Sequence, residues 1–445
     1  MLHDVRAFRP LIALLLLVVP SAHGPAITVG SPLAAGFPSR SEAGLQRLRS
    51  NRLAHSAGAP TTDSARSAST IVEAGREASR ATWTSQLDTL YRLTSSTDGP
   101  LARVVDGVIT EQHIILAEAS TNRVHLYERG TGKWRRSAGR TGSGPGEFRR
   151  LEWLTRVGDA LYAFDAELLR VTVLSLDGRF VRTLALSPPP AARRAEPIAV
   201  LGDGSFLARR VIPSDAFSDV GAVSRPPKPM LVAPRYALSR HRADGSFVTD
   251  LLEYRGNEWF VAPYGSGGAS QIGPMFGRKA AVVASGTTFA VLASDVDRVI
   301  QFDSAGARLR ELRVPSAPPV PVRRQDVERE RARSIPPGRG PVDFGAVFDQ
   351  QVPPSHFPAF GWRGVGMAPL SGASDASMWL LRYGGVRSER SVYLRYSSRG
   401  ALVDSVSFDR QMRLLDALDE LMLLGAYDAD GADEILLVRR RPRPR

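Results

Sequence analysis

The stretch Gly139-Arg140-Thr141-Gly142-Ser143-Gly144-Pro145-Gly146-Glu147-Phe148 constrains this chain more than any other. It lies between two segments of one design. Ile114-Ile115-Leu116-Ala117 and Val124-His125-Leu126-Tyr127 precede it, and both read as short strands. Ala160-Leu161-Tyr162-Ala163-Phe164 and Val171-Thr172-Val173-Leu174-Ser175-Leu176 follow it and read the same way. A Gly-rich joint between repeated strand pairs is a handover from one unit of a repeat to the next. It is a poor phosphate cradle. No Lys follows it, and the next element reads as a strand where phosphate binding wants a helix start.

Tight turns repeat the design along the chain. They fall at 128–132, 176–179, 243–246, 304–307, 398–401 and 428–431, each with glycine at or near its end. Glycine takes a positive φ at no steric cost, so Asp-Gly and its relatives between apolar runs mark hairpins. Six hairpins with variable insertions predict a six-bladed β-propeller, an all-β fold whose blades have four antiparallel strands. The blades are expected near 103–141, 150–186, 197–254, 278–314, 364–408 and 411–440. Arg225-Pro226-Pro227-Lys228-Pro229 widens the third, and residues 315–360 form an insertion with a short charged helix over Asp326–Arg333.

Leu87-Asp88-Thr89-Leu90-Tyr91-Arg92-Leu93 alternates as a half-buried strand but has no hairpin of its own. It is expected to complete the last blade, closing the ring and removing the exposed edges of an open stack. The whole propeller then spans 83–440. Residues 27–82, rich in Ser, Ala, Gly, Thr and Arg, read as a disordered linker, and 441–445 as a basic tail.

Residues 1–26 read as a secretory signal. Arg6 and Arg9 precede the apolar run Leu11–Val19, and Pro20, Ser21, Ala22 and Gly24 follow it. Nine apolar residues are too few to span a bilayer, which needs roughly 20. The expectation is an exported protein, periplasmic or extracellular, with no transmembrane segment after cleavage. There is no cysteine, which excludes disulfides, thiolate metal sites and a Cys nucleophile. The net charge is +13, but five of the arginines lie between Arg439 and Arg445. No basic helix or aromatic-interleaved basic strand is present, so nucleic acid is not the expected partner.

The residues 139–148, with Asp159–Asp165 and Arg170–Phe180 behind them, resemble the bacterial exported six-bladed β-propeller proteins related to NHL repeats. The resemblance is close over 103–186 and looser over 197–314 and 361–440. It implies the fold and names no substrate. Related six-bladed folds include calcium- or zinc-dependent lactonases, hydrolases and lyases, which brings a channel metal into consideration.

The residues themselves give little support for a metal. His113, His125, His241 and His356 show no ligand spacing, and the chain has only Asn51, Asn122 and Asn257 to assist a calcium site. No cofactor is expected, with calcium the one candidate. Glu118 and Asp165 each stand five residues before an arginine, Arg123 and Arg170. Two readings fit. The acid and Arg pair to fix a loop, or the acids line the mouth of the central channel. Trp362 and Trp259, read as loop residues, are candidates for peptide or glycan contact. Arg382, behind Trp379-Leu380-Leu381, is a candidate channel residue. The reading that follows is a monomeric, non-enzymatic propeller that binds a protein, peptide or glycan. The alternative is a metal-dependent propeller hydrolase or lyase with its site in the channel.

Overall fold

The computed structural model describes residues 71–72, 86–96, 99–190, 192–214, 217–218, 226, 228–264, 268–272, 277–293, 298–313, 320–334, 360–361, 365–368, 377–382, 390–427 and 433–441. The chain divides into two units, 1–68 and 69–445, and all of the described residues belong to the second. The signal and most of the linker therefore lie outside them. No helix among the described residues is long and apolar enough to cross a membrane.

The second unit is a six-bladed β-propeller of four-stranded antiparallel sheets. Blade one is Val104–Ile109, His113–Glu118, Arg123–Glu128 and Trp134–Ala138, counted from the inner to the outer strand. Blade two is Leu151–Val157, Ala160–Asp165, Arg170–Ser175 and Phe180–Leu184. Blade three is Glu196–Val200, Phe206–Val211, Arg235–His241 and Phe247–Arg255. Blade four is Ala281–Ser285, Thr288–Leu292, Arg298–Asp303 and Arg308–Arg313. Blade five is Val365–Ala368, Met378–Arg382, Ser391–Tyr396 and Leu402–Phe408.

Blade six takes its inner three strands from the end of the chain, Arg413–Leu418, Leu421–Tyr427 and Asp433–Arg441. Its outer strand is Gln86–Leu93, antiparallel to the last of these from Gln86 opposite Arg441 to Leu93 opposite Ile435. This is the expected closure. Asp88 pairs with Arg441 and Arg92 with Glu434 across it. Leu93 is 3% exposed.

The packing follows from the period of two along each strand. In His113–Glu118, Ile114 and Leu116 face blade six, while Ile115 and Ala117 face blade two. The second and third strands of a blade are covered on both sides, which is why they read as continuous apolar runs. Six apolar clusters result, one between each pair of neighbouring blades. The sixth joins Leu415, Leu423, Ile435 and Leu437 to Ile109, Ile114, Leu116 and Tyr127, so the ring is complete. Trp379 is 3% exposed between blades five and six, with the Arg440 guanidinium 5.7 Å above its ring.

The joint behaves as a handover. Gly139 has φ +81°, and a Cβ there would stand 2.7 Å from the ring of Phe148, which is fully buried. The Glu147 carboxylate accepts the Gly144 amide at 2.7 Å and the Arg140 guanidinium at 2.6 Å. Arg170 does not pair with Asp165, the first reading of that spacing. Its guanidinium donates to the carbonyls of Ser143, Gly144 and Glu147 and pins the joint from blade two.

Three departures are informative. Ile71–Val72, inside the segment read as linker, pairs in parallel with Glu311 and Leu312 on the outer strand of blade four. Trp259 is not in a loop. It opens the strand Trp259–Tyr264, which pairs with Met230–Val232 and Gly268–Ile272 in a separate small sheet. The insertion helix runs Arg324–Ser334, and Asp326 accepts the Arg323 amide at 2.9 Å to cap it. The hairpin at 428–431 lies outside the described residues.

Closure predicts a contrast between two truncations. A chain beginning at Ser69 keeps Gln86–Leu93 and melts within a few degrees of the full chain. A chain beginning at Gly99 exposes the edge of Asp433–Arg441 and melts lower by ~10 °C or more. Scanning calorimetry on both checks it, and equal melting would remove closure from the account.

Candidate binding cleft beside the central channel

The inner strands carry carboxylates that bridge blades. A β-bulge between Val104 and Asp106, and another between Leu414 and Asp416, turns each aspartate toward the next inner strand. Asp416 accepts the Ile109 amide at 2.7 Å, and Asp106 accepts the Leu154 amide at 3.0 Å. Burial pushes the Asp106 carboxyl up to about 7, with Asp416 adding to the rise while the Leu154 and Gly107 amides and Arg413 oppose it.

Glu118 and Asp165 occupy equivalent places at the end of the second strand in blades one and two. Glu118 is 2% exposed and accepts the Ala102 amide at 2.8 Å and His125 Nε2–H at 2.9 Å. Burial works against its ionisation. Hydrogen bonds from His125, Thr121 and Ala102 outweigh that and hold the carboxyl below the usual range. Asp165 is fully buried and accepts the amides of Arg149, Glu167 and Leu168 at 2.6, 2.9 and 2.9 Å. Asp433 does the same for the Val104 amide at 2.6 Å and also takes the Arg413 guanidinium at 2.9 Å. Each acid fastens the entry of an inner strand, and its oxygens are engaged by the protein's own donors. Arg382 ends the second strand of blade five, but its side chain, like Trp362, lies outside the described residues.

The structure gathers a different set of residues. Blade two supplies Glu152 and Trp153 from the start of its inner strand. Blade three supplies Glu196, Arg209, Tyr236 and Tyr254, one from each of its four strands. Asn257, Trp259 and the inner strand of blade four close a cleft of about 230 Å³. Arg209 donates to Glu196 through Nη2 and Nε, at 2.6 and 3.1 Å, and lies 5.0 Å over the Tyr236 ring. Tyr236 in turn packs on Tyr254 with centroids 5.5 Å apart. Gly256 makes room for this. A Cβ there would stand 2.2 Å from the Tyr236 ring.

The electrostatics separate the two glutamates. Glu196 has Arg209. Among the described residues, Glu152 has only Arg150, 3.9 Å away. Desolvation and the neighbouring Glu196 raise its carboxyl above the usual range, against the pull of Arg150 and Arg209. Burial pushes the Tyr254 hydroxyl up to about 12, so it stays a donor. The Trp259 indole N–H is buried and meets no acceptor among the described residues. An unmet buried donor costs about 1–3 kcal/mol, and Trp259 lines the cleft. At 230 Å³ the cleft is below the ~300–1,000 Å³ of drug-sized sites. It fits one ring or one side chain.

Sequence reading picked out Trp259 from this set and placed it in a loop. The signal that was available is the acid at the head of successive inner strands, Glu152 and Glu196. Among the described residues, no three His, Cys, Asp or Glu side chains gather in metal-binding range.

No protein-family model matches the chain, and no curated protein matches it. Solved structures resemble it in outline. A member of the DUF4221 family from Bacteroides vulgatus aligns at TM-score 0.43 and 7% identity, over 80% of this chain and 99% of that one. A Bacteroides fragilis protein thought to be exported aligns at 0.42 and 10%, over 80% and 95%. A streptogramin B lyase aligns at 0.35 and 10%, over 80% and 98%. At these values the likenesses carry no inference about activity.

Two outcomes follow from the cleft and the inner ring. Asp106 holds its proton in the folded chain up to about pH 7, whereas the unfolded chain loses it near the ordinary aspartate value. The native state therefore binds more protons in that window, and stability falls as pH rises through it. Asp106→Asn should flatten that slope in urea unfolding measured at several pH values; an unchanged slope contradicts the assignment. Gly256→Ala drives its Cβ into Tyr236 and should cost ~1–3 kcal/mol. It should also change the near-ultraviolet tyrosine signal.

Proposed function

We propose that this is an exported, non-enzymatic binding propeller, and that one polar unit of a protein, peptide or glycan ligand enters the cleft between blades two, three and four. The observation that carries the reading is the Trp259 N–H. The fold leaves a buried donor unmet beside an aromatic wall, a fixed carboxylate–guanidinium pair and a second carboxyl held only loosely, by Arg150. Such a mix of flat apolar faces and few placed polar groups is how small sites orient a ligand. The signal-like residues 1–26 support export. Asp165 enters this proposal as the anchor of the inner strand of blade two that carries Glu152, and Glu118 as the matching anchor of blade one. Trp362 and Arg382 remain candidates for further contacts.

The raised Glu152 carboxyl beside Glu196 favours a second reading, hydrolase or lyase chemistry with Glu152 as general acid. In that reading turnover of a bound ligand disappears in Glu152→Gln.

Peptide and glycan arrays probed with wild type and Trp259→Phe test the first reading. Phe keeps an aromatic ring, smaller than the indole, and loses the donor. Affinity for array ligands should fall roughly five- to tenfold, the value of about one hydrogen bond. Melting temperature should change by only a few degrees, because the lost indole packing is offset by removal of an unmet buried donor. Ligands that bind both proteins equally would overturn the reading.

A further inference from the structure

The interface between blades three and four is open on both sides of Tyr254. The cleft lies on its channel side. On its outer side runs a groove of about 740 Å³, within the ~300–1,000 Å³ of ligand sites. Leu252, Val291, Ile300 and Phe302 form the apolar floor. Arg235, Arg255, Arg298 and Arg308 stand along the rim. Arg235 pairs with Glu253, and Arg298 and Arg308 share Glu311. Four guanidinium groups thus face two carboxylates. Arg255, exposed, forms no ion pair among the described residues.

We propose that this groove holds an extended acidic peptide whose side chains alternate between apolar and carboxylate. This rests on the binding reading above only in taking the cleft as the inner end of the track. An extended chain sends successive side chains to opposite sides. Its apolar residues meet Val291, Ile300 and Phe302, and its carboxylates meet the rim. Guanidinium groups take carboxylates through two parallel hydrogen bonds, a geometry that neutral side chains do not match. On blade four strand addition is limited, because its outer strand already pairs with Ile71 and Val72 at Glu311 and Leu312; the recognition proposed here is by side chains.

The test uses the full chain and a fluorescein-labelled peptide of about eight alternating Glu and Leu residues, enough to run along a groove at ~3.3 Å per residue. The same peptide with Gln for Glu, and a uronate oligosaccharide, are the comparisons. Anisotropy at physiological salt should show the Glu peptide binding about tenfold more tightly than the Gln peptide, ~1.4 kcal/mol. Arg255→Gln should remove most of that difference without changing the melting temperature. Arg136→Gln, an exposed arginine on the outer strand of blade one, should leave it intact. Equal binding of the two peptides, equal losses in both variants, or preference for the uronate would each overturn the proposal. Trp259→Phe separates the two readings. If array ligands depend on Trp259 while the Glu peptide fails to bind, the cleft stands and the groove falls. If the Glu peptide binds through Arg255 and nothing depends on Trp259, the groove stands and the cleft falls.

Discussion

The pairing of Gln86–Leu93 with Asp433–Arg441 is the constraint on which the rest depends. A ring of blades buries each sheet only if every sheet has two neighbours. Blades one and six meet through Leu93, Leu101 and the apolar faces of both blades. Without the outer strand, blade six loses part of that wall and shows an unpaired edge. The two ends of the propeller are thus joined by hydrogen bonds within one sheet. The carboxylate rung from Asp416 to Ile109 ties the same seam on its inner side, and the rung from Asp106 to Leu154 carries the tie on to blade two. The Asp106 carboxyl, pushed up to about 7 by burial, makes the inner ring of strands sensitive to acidity.

The architecture was legible because local chemistry announces it. Gly178, Gly245, Gly306 and Gly400 all have positive φ in the hairpins where the sequence put them. The alternation in Leu87–Leu93 with no following hairpin pointed to a strand that pairs far along the chain. The closing partner could be inferred by elimination among six repeats. The spacing of Asp165 and Arg170 misled. Adjacent strand ends bring such residues opposite each other, but four backbone amides reach Asp165 first. Arg170 is then left to the carbonyls of the joint. Sequence spacing reports proximity and says little about which of several partners wins.

The cleft was not legible for a related reason. Its residues run from Glu152 to Val282 and come from three blades and a connection. No periodicity links them. The deciding feature is a divergence from the repeat. Between blades three and four the connection builds the sheet containing Trp259–Tyr264 instead of returning directly. Trp259 is thereby held against the inner ends of the blades with its N–H unmet. The interface that carries this extra sheet also carries both cavities. That coincidence gives the proposed site its place in the fold.

The most direct test of the central claim is amide hydrogen exchange along Gln86–Leu93. If this strand is an integral part of blade six, the amides that pair with Asp433–Arg441 exchange only on global unfolding, at the rate of those in Leu421–Tyr427. If they exchange orders of magnitude faster while Leu421–Tyr427 stays protected, the N-terminal strand is a loose appendage. The closed ring would then not be the constraint that holds this protein together.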